Sequence, residues 1–314
     1  MIVEIAQRAR KGRNGQAYQT GRSRGLQEQM SESGAESQAA QKVWIDRYWM
    51  SPDGLNLHFR DYPGGEGKPP ILCLPGLTRN ARDFETIAQK FAGEWRLICA
   101  EFRGRGESDY ARDASTYNPV QYVADIEALL EQEGIARFVA IGTSLGGLVT
   151  MLLAAGNADR IAGAVLNDIG PVVESAGLER IREYVGQGRS YPTWMHAARA
   201  LQDMSQQAFP LYSISDWLRM AKRLMVVGGN GRIVLDYDMK IAEPLNAASG
   251  AGEIDLWPVY RALAGRPLLV LRAEMSDILS KATLARMVRE LPEAEGVTIA
   301  KVGHAPSLEE PEAL

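Results

Sequence analysis

From Val43 onward, short apolar runs alternate with longer stretches in which apolar residues recur every three or four positions. Val43–Trp49 and Leu55–Arg60 alternate apolar with polar about Ser51-Pro-Asp-Gly54, which predicts a hairpin with one solvated face. Pro70–Leu74, Arg96–Phe102, Arg137–Thr143, Ile161–Asn167 and Pro267–Leu271 are continuous apolar runs. A strand reads this way when helices cover both of its faces. Between them, Ala81–Ala92, Pro119–Glu133 and Leu145–Ala155 carry helical spacing. Asn80 is positioned to cap the first of these, and a proline opens the second. Leu284–Glu290 and Gly296–Val302 add a last helix and strand. Strands alternating with helices predict an α/β protein, a doubly wound and mostly parallel sheet with right-handed crossovers.

The alternation breaks once. Between Pro171 and Asp255 there is no convincing buried strand, and helical patterns carry large side chains such as Tyr184, Trp194, Phe209 and Trp217. This predicts a mostly helical cap over residues 171–255, inserted into an α/β core made of residues 43–170 and 256–314. Residues 1–42 are rich in Arg, Gln, Ser, Gly and Glu, with little apolar content after Ile5 and Ala6. Such a segment buries too little surface to offset its ordering entropy, so it is expected to be a disordered extension. It lacks the apolar centre of a secretory signal.

Composition narrows the function classes. Of the 314 residues 46% are hydrophobic, enough for a sizeable core, and the net charge is -4 with a pI near 5.6. A dedicated nucleic-acid binder would show a basic excess instead. No apolar run approaches the roughly 18 residues of a membrane span. Cys73 and Cys99 both lie inside apolar runs and read as free buried thiols of a reducing compartment. The expectation is a cytoplasmic protein acting on a small molecule, without nucleic-acid or membrane partners; the pattern does not encode an oligomeric state.

The candidate chemistry centres on Gly142-Thr-Ser144-Leu-Gly146, which follows a predicted strand and opens a predicted helix. A sharp turn there would hold the Ser144 hydroxyl clear of the sheet, beside a helix N-terminus that favours developing negative charge. Side chains at Gly142 or Gly146 would collide with neighbouring backbone. A serine hydroxyl needs a base to become nucleophilic. Of three histidines, His58 lies in the hairpin and reads as structural, and His196 as packing or pocket lining. His304, directly after the last strand, can reach the C-terminal sheet edge where ligands bind in such folds. An aspartate should orient its ring. Asp277 and Asp168 both satisfy the chain order Ser, Asp, His. Asp277 is favoured, because its loop follows the last strand but one and should lie beside the His304 loop. Asp168 borders the cap, where it suits a hinge anchor or pocket wall. Two aligned donors for an oxyanion are expected from the backbone N–H groups of Leu77 and Leu145. Trp194 and Trp217 are candidate pocket residues. No metal-spaced His/Cys cluster, Walker-type loop or dinucleotide fingerprint occurs, so no metal or organic cofactor is expected.

Taken together, Leu74-Pro-Gly-Leu-Thr, Glu101-Phe-Arg-Gly-Arg-Gly-Glu-Ser-Asp109, Gly142-Thr-Ser-Leu-Gly-Gly147, Ser276-Asp277 and Gly303-His304 resemble the α/β-hydrolase superfamily over about residues 43–314. The nearest likeness is to a bacterial branch holding enol-lactone hydrolases, carboxylesterases and C–C hydrolases of meta-cleavage products. The chain departs from the family pattern at Pro75-Gly76, usually His-Gly, and at Ala273, usually Gly. Ser307-Leu-Glu-Glu-Pro311 looks like the start of the family's last helix. The resemblance implies a serine hydrolase cleaving an ester or lactone of a small, apolar or aromatic substrate through an acyl-enzyme. C–C bond hydrolysis and acyl transfer on the same residues are the alternatives. A non-catalytic receptor is disfavoured because no triad member is missing.

Overall fold

A computed structural model describes residues 1–11, 43–91, 93–247 and 254–313. It begins with a helix, α1 (Ile2–Lys11). The hairpin follows, β1 (Ile45–Met50) against β2 (Asn56–Tyr62), with Ile45 opposite Asp61 and Met50 opposite Asn56 about the predicted turn. Next come β3 (Ile71–Leu74), α2 (Glu85–Phe91), β4 (Leu97–Ala100), α3 (Pro119–Gln132), β5 (Phe138–Thr143), α4 (Leu145–Asn157) and β6 (Ile161–Asn167). An insertion contributes α5 (Ser175–Tyr184), β7 (Ser190–Tyr191), α6 (Trp194–Ser205), α7 (Ile214–Leu224), β8 (Met225–Val227), β9 (Ile233–Leu235) and α8 (Ala242–Ala247). The chain then returns through α9 (Trp257–Arg261), β10 (Leu268–Ala273), α10 (Lys281–Glu290) and β11 (Ala294–Ile299).

Eight strands form one sheet in the order β1-β2-β4-β3-β5-β6-β10-β11. Only the hairpin strands run antiparallel to their neighbours; every pairing from β4 across to β11 is parallel. Successive side chains of one strand feed opposite apolar layers. Leu72 and Leu74 of β3 enter one, and Ile71 and Cys73 the other. In β10, Leu268 and Val270 are likewise opposed to Leu269 and Leu271. This two-sided burial is why the strands read as unbroken apolar runs. Cys73 and Cys99 are register partners on β3 and β4, both buried and unbridged.

Three expectations change. Residues 2–11 are helical rather than disordered, because Ile2, Ile5, Ala6 and Ala9 form a stripe buried against the second layer beside β6 and β10. The remainder of the expected disordered extension, 12–42, lies outside the described residues. The insertion is not wholly helical: β7, β9 and β8 form a small antiparallel sheet, in strands too short to stand out in the sequence. Residues 307–313 are irregular, ending in a turn at 311–313, rather than helical. The insertion is tied to the core where Asp238 N donates to the Gly104 carbonyl at 2.8 Å and Gly106 N to that of Asp236 at 3.2 Å.

Candidate active site

Between β5 and α4 the backbone of Ser144 adopts φ 50°, ψ -114°, sparsely populated for a residue with a side chain. Its two flanking glycines make this turn possible. A β-carbon on Gly142 would lie 2.5 Å from backbone of Gly146, and one on Gly146 only 2.0 Å from the Leu74 carbonyl oxygen. The turn is held from β6, whose Asn167 carbonyl accepts from Ser144 N at 2.9 Å.

His304 stands on the loop after β11. Its Nε2 is 2.9 Å from Ser144 Oγ, and its Nδ1 is 2.7 Å from Asp168 Oδ2. The aspartate side chain is fully buried and the imidazole is 8% exposed, so bulk water does not compete for these contacts. Asp168 terminates β6 with φ 57°. Its Oδ1 accepts from Ala273 N at 2.9 Å while its own N donates to the Leu271 carbonyl at 2.8 Å. The carboxylate is thus fixed by β10 on one side and meets the imidazole on the other.

The sequence reading set Asp277 against His304, and here it is corrected. The Asp277 carboxylate is engaged by Nε and Nη2 of Arg180 on α5. Hydrogen bonds from that guanidinium, more than anything else, hold the Asp277 carboxyl below its ordinary range. The physical reason is strand order. β6 lies between β5 and β10, so a residue ending β6 is one strand from Ser144, whereas the loop after β10 is two strands away. Chain order, common to both aspartates, carries no information about this.

Two supporting residues escaped the sequence reading. Asn167 Nδ2 donates to Thr143 Oγ1 at 3.1 Å and to the Pro306 carbonyl at 2.9 Å, joining the Ser144 turn to the His304 loop. Arg105 is fully buried and forms no ion pair among the described residues. Its Nε donates to the Leu77 carbonyl at 2.9 Å and its Nη1 to the Arg103 carbonyl at 2.6 Å, between the rings of Tyr117 and Tyr122. Its place in Arg103-Gly-Arg105-Gly106 was the available signal, but that stretch counted only toward a family likeness. Arg105 braces the loop that carries Leu77. That loop lies beside the serine: a β-carbon on Gly76 would be 3.9 Å from Ser144 Cβ. Among the described residues, no acceptor engages the backbone N–H of Leu77 or of Leu145.

Ser144 and His304 open onto a narrow cavity of ≈ 80 Å³. Leu77, Phe84, Ile181 and Tyr184 supply apolar wall, and Arg79, Asp83 and Arg223 supply charge. Trp194 and Trp217 are not part of this lining. Trp217 is buried and packs edge-on against Phe209 and Tyr212, with ring centroids 6.1 and 5.2 Å away, while Trp194 packs on the same apolar layer. His196 is an exposed residue bonded to Thr193, and His58 lies buried between Glu101 and Asp46. Among the described residues no three His, Cys, Asp or Glu side chains are grouped to hold a metal ion, and no helix is long and apolar enough to cross a membrane.

Comparison with known proteins agrees with this architecture. The family model for the alpha/beta hydrolase fold matches residues 69–311. A 3-hydroxybutyrate-oligomer hydrolase of Cupriavidus necator is 33% identical over 270 residues, spanning 83% of this chain and 92% of that protein. A 2-(acetamidomethylene)succinate hydrolase of Mesorhizobium japonicum is 26% identical over 250 residues, 80% of this chain and 85% of its own. The crystal structure of an alpha/beta hydrolase from Novosphingobium aromaticivorans superimposes with a TM-score of 0.84 at 63% identity, covering 87% of this chain and 96% of that one. With the family model covering most of its length, the chain belongs to the α/β-hydrolase fold family and is a hydrolase.

Proposed function

We propose that this hydrolase is a serine esterase that cleaves small ester-linked hydroxy acids through an acyl-enzyme. The observation that carries the reading is the unbroken hydrogen-bond chain Asp168–His304–Ser144, 2.7 and 2.9 Å at its two links. Its chemistry follows the logic of Ser-His-Asp sites. His304 Nε2 takes the Ser144 proton as Oγ adds to the ester carbonyl, and Asp168 stabilises the imidazolium that forms. The oxyanion is met by the N–H groups of Leu77 and Leu145, neither of which has an acceptor among the described residues. Collapse of the tetrahedral intermediate expels the alcohol, which leaves with the proton from His304. Water then adds to the acyl-enzyme with His304 again as base, releasing the acid and restoring Ser144. The ester class is supported by a relative named for hydrolysis of 3-hydroxybutyrate oligomers, which are ester-linked, similar over nearly the full length of both chains. Lactones present the same carbonyl and are admitted by the same steps.

A fluorophosphonate should label Ser144 in the full chain, and 3-hydroxybutyrate dimer should be turned over. Ser144→Ala should abolish both, and His304→Ala should slow both by about three orders of magnitude or more. Labelling at another residue, or turnover that survives Ser144→Ala, would sink the reading.

A further inference from the structure

Nothing in the chemistry at Ser144 uses the two arginines of its cavity. Arg79 is on the Leu77 loop, its N donating to the Gly76 carbonyl at 3.2 Å. A β-carbon on Gly76 would lie 3.2 Å from Arg79 Cγ and 3.9 Å from Ser144 Cβ, so the arginine stem is one residue's width from the proposed nucleophile. A guanidinium offers five N–H donors in a rigid fork. Asp83 takes one edge of it: Nε donates to Oδ2 at 2.6 Å and Nη2 to Oδ1 at 2.9 Å. The second N–H of Nη2 and both N–H groups of Nη1 meet no acceptor among the described residues, although the side chain is only 26% exposed. From α7, Arg223 adds a second guanidinium to the lining, held at Nη2 by Glu309. Both arginines thus line the cavity, Arg79 paired with Asp83 and Arg223 with Glu309.

An edge that meets no acceptor among the described residues, is only partly exposed and is oriented by a carboxylate on the adjacent edge is preorganised for a second planar anion. We propose that Arg79, braced by Asp83, receives a free carboxylate on the substrate, making the enzyme selective for esters that carry an acid group near the scissile bond. The terminal unit of a hydroxy-acid oligomer has this arrangement. The proposal rests on the reading of Ser144 as nucleophile. If the Arg79–Asp83 pair only stiffened the loop, every ester would suffer alike from its loss.

The test compares 3-hydroxybutyrate dimer with its terminal carboxamide, which keeps shape and removes charge. Wild type should favour the acid by about 10- to 100-fold in kcat/KM, the range of one charge-assisted hydrogen-bond pair. In Arg79→Gln that preference should collapse to near unity, through a raised KM for the acid rather than a changed kcat. Fluorophosphonate labelling of Ser144 reports whether the variant is folded. Should it not fold, the wild type alone decides: free 3-hydroxybutyrate should compete with substrate at least about tenfold better than 3-hydroxybutyramide. Equal handling of acid and amide by wild type, or an unchanged preference in Arg79→Gln, overturns the carboxylate assignment. Activity surviving Ser144→Ala would instead mean that the underlying nucleophile reading had failed, so the two failures are distinct.

Discussion

Ser144 and Asp168 share a backbone signature, φ values of 50° and 57° that side chains rarely tolerate. Each is over-determined by its surroundings: Ser144 by a turn whose glycines admit no β-carbon, and Asp168 by backbone bonds to β10 on both its N–H and its carboxylate. Strain held in this way is common where side chains must be aimed. The amide of Asp168→Asn would keep the shape but invert the hydrogen bond to His304 Nδ1. On the proposed Ser-His-Asp mechanism, kcat should fall by about 10⁴, or roughly 5 kcal/mol. Asp277→Asn only loosens a half-exposed ion pair with Arg180 and should stay within about tenfold of wild type. Parallel kinetics on one ester decide it, and the reverse ranking would mean that Asp277 displaces Asp168 at His304 during turnover. A second variant probes the brace beneath Leu77. Arg105→Met leaves the part-buried Leu77 carbonyl without its donor, at a cost of about 1–3 kcal/mol. Part of that cost should emerge as a tenfold or greater fall in kcat with little change in KM. A change confined to KM would mean that Arg105 shapes binding instead. That Ser144 and His304 would meet was readable because each is placed by local context, a turn motif and the end of a strand. Asp168 was not, because the choice of aspartate depends on strand order in space.

At the scale of elements, the sequence reading succeeded wherever burial was two-sided. β3, β5, β6 and β10 are each four or more consecutive buried or nearly buried residues, a signal that survives without neighbours. It failed where a short element depends on what it packs against. The stripe of α1 at Ile2, Ile5, Ala6 and Ala9 has helical spacing, but half of it is alanine, and polar sequence follows. Isolated, so short a helix would be marginal; docked on β6 and β10 it is stabilised by burial. Burying Ile2 and Ile5 contributes about 1.5–3 kcal/mol each. Removing residues 1–11 should therefore lower the melting temperature by roughly 5–10 °C while leaving ester turnover at 25 °C intact. An unchanged melting curve would show that α1 does not hold this position in solution. The aromatic side chains of the insertion show the same dependence on context. Trp217 lies at the meeting of α6 and α7 with Phe209 and Tyr212 rather than in the cavity. Trp217→Ala should cost about 3–5 kcal/mol of stability and depress all substrates alike. A selective loss of one acyl length without loss of stability would return it to the pocket.

Over the molecule as a whole, the antiparallel end of the sheet is joined to the parallel part by a triplet of buried His58 and Glu101 with the more exposed Asp46. His58 on β2 points Nδ1 at Glu101, 2.9 Å away just past β4, and Nε2 at Asp46 on β1, 3.1 Å away, with the Tyr48 ring alongside. A neutral imidazole has one N–H and can satisfy only one carboxylate; the imidazolium satisfies both. Burial opposes that charge, but Glu101 and Asp46 outweigh it and leave the His58 pKa above its ordinary value. The sign of the linkage follows. A histidine whose pKa is raised by folding stabilises the native state fully below its unfolded value of about 6.5, and this contribution is lost as pH rises through the higher folded value. Urea unfolding between about pH 6 and pH 9 should therefore show a falling advantage of wild type over His58→Gln, greatest at the acid end. Taking the difference between the two proteins cancels contributions from groups remote from His58. Because Glu101 also accepts from Ala81 N at 3.0 Å and Glu107 N at 2.7 Å, the loss propagates to the segments flanking β4, and unfolding should remain one cooperative transition. A wild-type advantage that stays constant across this range would show that His58 is bound neutral.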